Sequence, residues 1–160
     1  MQYGDRVKCI YSIAFDDRTV NSDGSESWRQ SEIVFSNIFI GEIIDPTIQS
    51  EERKVIVLDN PKSQLCPEIG PADREIRTVK PQKIGNVYDV GENISGYVRI
   101  KTKAGYKGTV TLRFSEEIKE GELDFGSTGH SQVTSSGKQQ IMTDKFICDG
   151  SERSFQPKFV

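Results

Sequence analysis

Alternation of apolar and polar residues with period two constrains this chain more than any other feature. Val87-Tyr88-Asp89-Val90 and Tyr97-Val98-Arg99-Ile100 both show it, separated by a polar bend, Gly91-Glu92-Asn93-Ile94-Ser95-Gly96. Such a run puts one strand face in a core and the other in water. The bend's two glycines permit the backbone angles of a sharp turn. Gly108 to Phe114 repeats the pattern, with Val110, Leu112 and Phe114 on one side. The passage from Asn86 to Phe114 therefore predicts a strand meander, and an antiparallel sandwich built around it.

Composition agrees. A chain of 160 residues is long enough to bury a core without staples. The 34% hydrophobic content and mean hydropathy of −0.53 suit sheets with one wet face. Apolar runs are broken at short intervals, and no long stretch has helical period, so the expected class is all-β, a two-sheet jelly-roll sandwich forming one domain over residues 1–160. The 21 basic and 24 acidic residues are mixed along the chain, which disfavours nucleic-acid and anionic-membrane partners. No apolar run is long enough to span a membrane. Cys9, Cys66 and Cys148 are far apart and odd in number, so free buried thiols are expected and no compartment follows.

Further strands are expected over Arg6 to Phe15, at Val20, over Lys54 to Leu58 (buried), Arg74 to Val79, Gln140 to Cys148 and Ser154 to Val160. Glu32 to Ile44 crowds apolar residues and ends at Asp45-Pro46, where proline lacks a ladder donor. Glu116 to Phe125 reads as a hairpin about Glu120-Gly121, and Gly126 to Lys138 as a loop. Asn21 to Gly24 has a fragment of a calcium-loop look but reads better as a turn. Trp28, the single tryptophan, is expected in the core, its alternative being a sugar-stacking platform. A strand begins almost at Met1 and the last run stops in mid-pattern at Val160, so the chain is expected to be part of a longer protein.

Candidate chemistry points to binding. His130 sits in a Ser/Gly loop with no tuning partner, and no GxSxG, HExxH, P-loop or GxGxxG occurs. The carboxylates Glu116, Glu117, Glu120, Glu122 and Asp124 read as a charged rim in preference to a glycosidase pair. Asn37, Glu42, Asp45 and Glu68 lie in breaks between apolar runs, where side chains can leave a sheet to hold sugar. Alternatively, Glu42 and Asp45 only cap turns.

Several stretches together resemble the non-catalytic β-domains of bacterial α-L-rhamnosidases. DVGENISGYVRIKTKAGYKGTVTLRFSEEIKEGEL is similar to that family's D-F-G-Q-N-x-x-G-W-V-R block with its following strand and D-G-x-L turn. SESWRQS, NIFIGEIIDP, KFICDG and FQPKFV resemble further blocks in the family's order. The resemblance implies a jelly-roll sandwich preceding a helical catalytic barrel that carries the carboxylates of inverting hydrolysis, so this chain is expected to lack the active site. That barrel, in the same polypeptide, and rhamnose-containing glycans are the implied partners. In some members the β-domain grips rhamnose through Ca2+, and the matching positions here are Ser36, Asn37, Glu68 and the carbonyls near Pro71. Ser36 stands where the family has an acid, and Ala72 where a second proline is usual; the lost carboxylate weakens the implied calcium site, and Glu68 can restore the charge.

Overall fold

A computed structural model describes residues 12–57, 69–71, 73–126, 132–133 and 139–158. Among them are sixteen short strands and no helix. In chain order these are β1 (Ser12–Ala14), β2 (Thr19–Asn21), β3 (Ser27–Trp28), β4 (Ile33–Asn37), β5 (Gly41–Ile44), β6 (Arg53–Lys54), β7 (Gln82–Ile84) and β8 (Val87–Asp89). They continue with β9 (Ile100–Thr102), β10 (Lys107–Arg113), β11 (Glu117–Lys119), β12 (Glu122–Asp124), β13 (Gln132–Val133), β14 (Gln139–Gln140), β15 (Thr143–Asp149) and β16 (Arg153–Phe155). The all-β expectation holds. The residues form two compact units, Met1–Gln30 with Gln49–Ala72, and Ser31–Ile48 with Asp73–Val160.

In the first unit, β1 pairs with β2 and β3 with β6. The β1–β2 turn closes where the Phe15 N–H donates to the Arg18 carbonyl at 2.7 Å. Trp28 is not a core anchor. The β3–β6 pair is two residues long and leaves the indole 37% exposed, with the Arg53 guanidinium 5.4 Å from the ring centroid. A cation on an aromatic face covers a ring that so short a pair cannot bury. The buried strand expected from Lys54 is also corrected: Ile56 and Val57 are exposed.

The second unit is organised by a four-stranded sheet, β10-β15-β5-β4. β10 and β15 pair antiparallel over seven residues, whereas β15 and β5 pair parallel. Asp144, Phe146 and Cys148 on β15, Val110 and Leu112 on β10, and Glu42 and Ile44 on β5 turn to one face. The antiparallel pair β9–β16 lies on that face through Ile100 and Phe155, giving a two-layer core. The Phe146 and Phe155 rings meet at 5.3 Å between centroids with their planes at 32°. Cys148 is free and buried, and burial pushes its thiol up.

The expected centre therefore moves. Val87 to Asp89 forms a hairpin with β7, but the Tyr97 run joins a ladder only from Ile100. Arg74 to Val79 forms no ladder and leaves Ile76 exposed. Its carboxylate Glu75 instead accepts from Arg99 at 3.1 Å and from the Tyr97 hydroxyl at 3.2 Å, and these polar ties hold the segment without backbone pairing. The hairpin about Glu120-Gly121 is as predicted. Both turn residues have positive φ, 54° and 84°, the geometry whose twist suits a two-residue hairpin loop. Most of the expected Gly126 to Lys138 loop, His130 included, lies outside the described residues, as do Cys9 and Cys66.

Candidate carbohydrate face

Four of the expected site residues sit on or beside the β4–β5 hairpin. Ser36 and Glu42 are register partners on the core side, and the Ser36 hydroxyl donates to Glu42 Oε1 at 3.1 Å. Glu42 is 1% exposed, and the Lys158 amide donates to its Oε2 at 2.8 Å. Asn37 Oδ1 accepts from the Phe39 and Ile40 amides at 2.9 and 3.2 Å, which shapes the hairpin turn. Asp45 accepts from the Thr47 amide and hydroxyl at 2.9 and 2.6 Å in the next turn. Pro71 is exposed in the first unit, and Glu68 lies outside the described residues. Among the described residues, no three His, Cys, Asp or Glu side chains gather as a metal site. Of the described oxygens in the implied calcium set, Asn37 Oδ1 accepts two amide hydrogen bonds within the hairpin, and the Ser36 hydroxyl donates its proton to Glu42.

Glu42 has a buried acidic neighbour that the sequence did not single out. Its amide donates to Asp144 Oδ1 at 2.9 Å, and Asp144 is 3% exposed. Burial pushes the Asp144 carboxyl above the ordinary range, and the charge of Glu42 adds to this, while the Glu42 N–H opposes it. A carboxyl raised in the folded state favours folding when protonated. That contribution is complete below the unfolded value, about 3.9, and is lost as pH rises through the folded value. Asp144→Asn keeps an oxygen for the Glu42 amide and removes the buried charge. It is expected to raise the melting temperature at pH 7 by a few degrees, roughly 1 kcal/mol, and to change little at pH 3. Melting curves from pH 3 to 8 test this; a gap that is constant with pH would refute it.

The opposite face of the same sheet carries a hollow of about 380 Å³. Register lines it up: Phe35 on β4 opposes Ile43 on β5, Ile43 opposes Lys145 on β15, and Lys145 opposes Thr111 on β10. Thr143 and Arg113 form the next pair along. A bulge between Ile33 and Phe35 lets Ile33 face Ile44 on the core side while Phe35 turns outward. Phe35 is 38% exposed, and Arg113 and Lys145 are exposed, so an aromatic plane, hydroxyls and two cations share one open surface. None of these residues was singled out as a site from the sequence. Alternation marks Thr111 and Arg113 as outward-facing but does not mark Phe35 or Ile43 so, and only the register across four strands brings them together.

No curated protein matches this chain, and no solved structure does. A family model described as the bacterial alpha-L-rhamnosidase concanavalin-like domain matches residues 77–160, which is 84 of 160 residues and takes in β7 to β16. The chain belongs to the bacterial α-L-rhamnosidase concanavalin-like domain family.

Proposed function

We propose that this non-catalytic β-domain holds carbohydrate for a rhamnosidase-type glycoside hydrolase, on the outer face of its four-stranded sheet. One observation carries the reading: Phe35 and Ile43 form an apolar strip directly beside Thr111, Thr143, Arg113 and Lys145. A pyranose presents a C–H face and hydroxyl edges, so it needs an apolar plane next to polar groups. A 6-deoxy sugar such as rhamnose adds a methyl group, for which Ile40 and Ile141 at the rim of the hollow are suitable neighbours. Bond cleavage is assigned to another part of the parent protein.

Calorimetric titration of the chain with L-rhamnose and rhamnose-containing oligosaccharides tests the proposal. Binding is expected to fall at least tenfold in Phe35→Ala and to survive chelation of calcium. Binding abolished by chelation and untouched by Phe35→Ala would assign the sugar to the rival calcium set, Ser36, Asn37, Glu68 and Pro71. Absence of both heat and any melting shift would favour a second reading, a domain that only packs against the catalytic part of its parent. Ile38 and Phe39, exposed at the tip of the β4–β5 turn, support that second reading.

A further inference from the structure

The charges in the hollow identify a narrower ligand class. Arg113 and Lys145 are diagonal neighbours on one sheet face, because Arg113 opposes Thr143 and Lys145 opposes Thr111. Diagonal positions stand roughly 7–8 Å apart, close enough for like charges to repel. Among the described residues, neither has an ion pair, although other cations of the same unit do. Arg77 pairs with Glu92, Arg99 with Glu75, Lys119 with Asp124, and Arg153 with Glu32 and Asp149. The acid on the outward row of β15, Asp149, lies at the far end of the strand and is engaged by Ser151 and Arg153. This cationic spot sits in a chain of net charge −3, so it does not simply follow the protein's overall charge.

From this we infer that the hollow takes a saccharide bearing a carboxylate, a hexuronic acid unit lying beside the apolar strip. The sugar ring rests on Phe35 and Ile43, and the carboxylate lies between the Arg113 guanidinium and the Lys145 ammonium. An anion shared by the two cations relieves their repulsion, and the planar guanidinium suits a carboxylate in a bidentate geometry. The inference rests on the carbohydrate reading of this face.

The test uses the full chain and two probes, a rhamnose oligosaccharide containing hexuronic acid and the same oligosaccharide after reduction of its carboxyl groups to alcohols. The acidic form is expected to bind at least tenfold more tightly at 20 mM salt, with the preference shrinking at 500 mM as charges are screened. Arg113→Gln and Lys145→Gln should each reduce that preference several-fold while leaving the melting temperature in place, and Phe35→Ala should weaken both probes. Equal binding of the two probes would overturn the carboxylate inference and leave carbohydrate binding standing. Binding of neither would remove both. Retention of the preference in the Arg113→Gln/Lys145→Gln double variant, or equal displacement by inorganic sulfate, would also overturn the inference.

Discussion

Phe146→Ala is expected to cost about 3–5 kcal/mol, the range for removing a buried phenyl ring. Phe146 is 0% exposed and sits where the two layers meet, on Phe155 and among Ile44, Cys148, Ile100, Val110 and Leu112. Among the described residues, few apolar side chains of this unit are fully buried, so the surroundings have little spare material with which to close the cavity. A domain's whole stability is about 5–15 kcal/mol, so losing this ring should lower the melting temperature by ten degrees or more. Ile118→Ala on the β11–β12 hairpin is the control. Ile118 is 46% exposed, and its truncation should cost under about 1 kcal/mol. Phe146→Leu should recover part of the loss, since it refills some of the volume. If thermal melts of Phe146→Ala and Ile118→Ala fell by the same amount, the two-layer core described above would be wrong.

Local signals were legible where a short stretch of sequence determines its own geometry. The Glu120-Gly121 loop was one, because turn residues and loop length select the backbone form. The alternation of β10 and β15 was another, and the inward faces of Val110, Leu112 and Phe146 follow from it. Choice of partner was not legible. Period two says which residues share a face but nothing about which strand lies alongside, and the parallel pairing of Ile43 with Lys145 joins residues about a hundred positions apart. That pairing makes β15 the centre of the second unit in place of the Asn86 to Lys101 meander. Glu42 shows the same limit. A carboxylate between apolar residues reads as outward, yet it lies inward because the amide of Lys158, 116 residues away, and the Ser36 hydroxyl satisfy it. Trp28 and Ile56 mark the converse, apolar side chains that short pairs cannot cover. The outer-face hollow depends on all four strands at once, so each of its residues looked ordinary in the sequence.

Gly41→Ala is expected to be nearly as damaging as losing the central ring, at roughly 3 kcal/mol or more. Gly41 has φ of +106°, a conformation that side chains rarely adopt, and an added Cβ would lie 2.4 Å from the Thr143 carbonyl oxygen and 2.7 Å from Asp144 Oδ1. The approach is this close because the hairpin turn leans on the start of β15, where the Thr143 amide donates to the Ile40 carbonyl at 2.7 Å. Backbone cannot swing aside as a flexible side-chain tip can. A methyl group at Gly41 must therefore push the turn off β15 and pull the Glu42 amide away from Asp144. Gly85→Ala separates strain from collision: Gly85 also has positive φ, +59°, but nothing stands within 4 Å of the added carbon, so that variant should lose only about 1–2 kcal/mol. Urea midpoints of the two variants provide the comparison, and equal losses would mean that β5 does not lie against β15 as described. Because Ile43 and Lys145 meet across the same junction, Gly41→Ala protein that remains folded in the cold should also bind the acidic oligosaccharide less well, whereas Gly85→Ala should not.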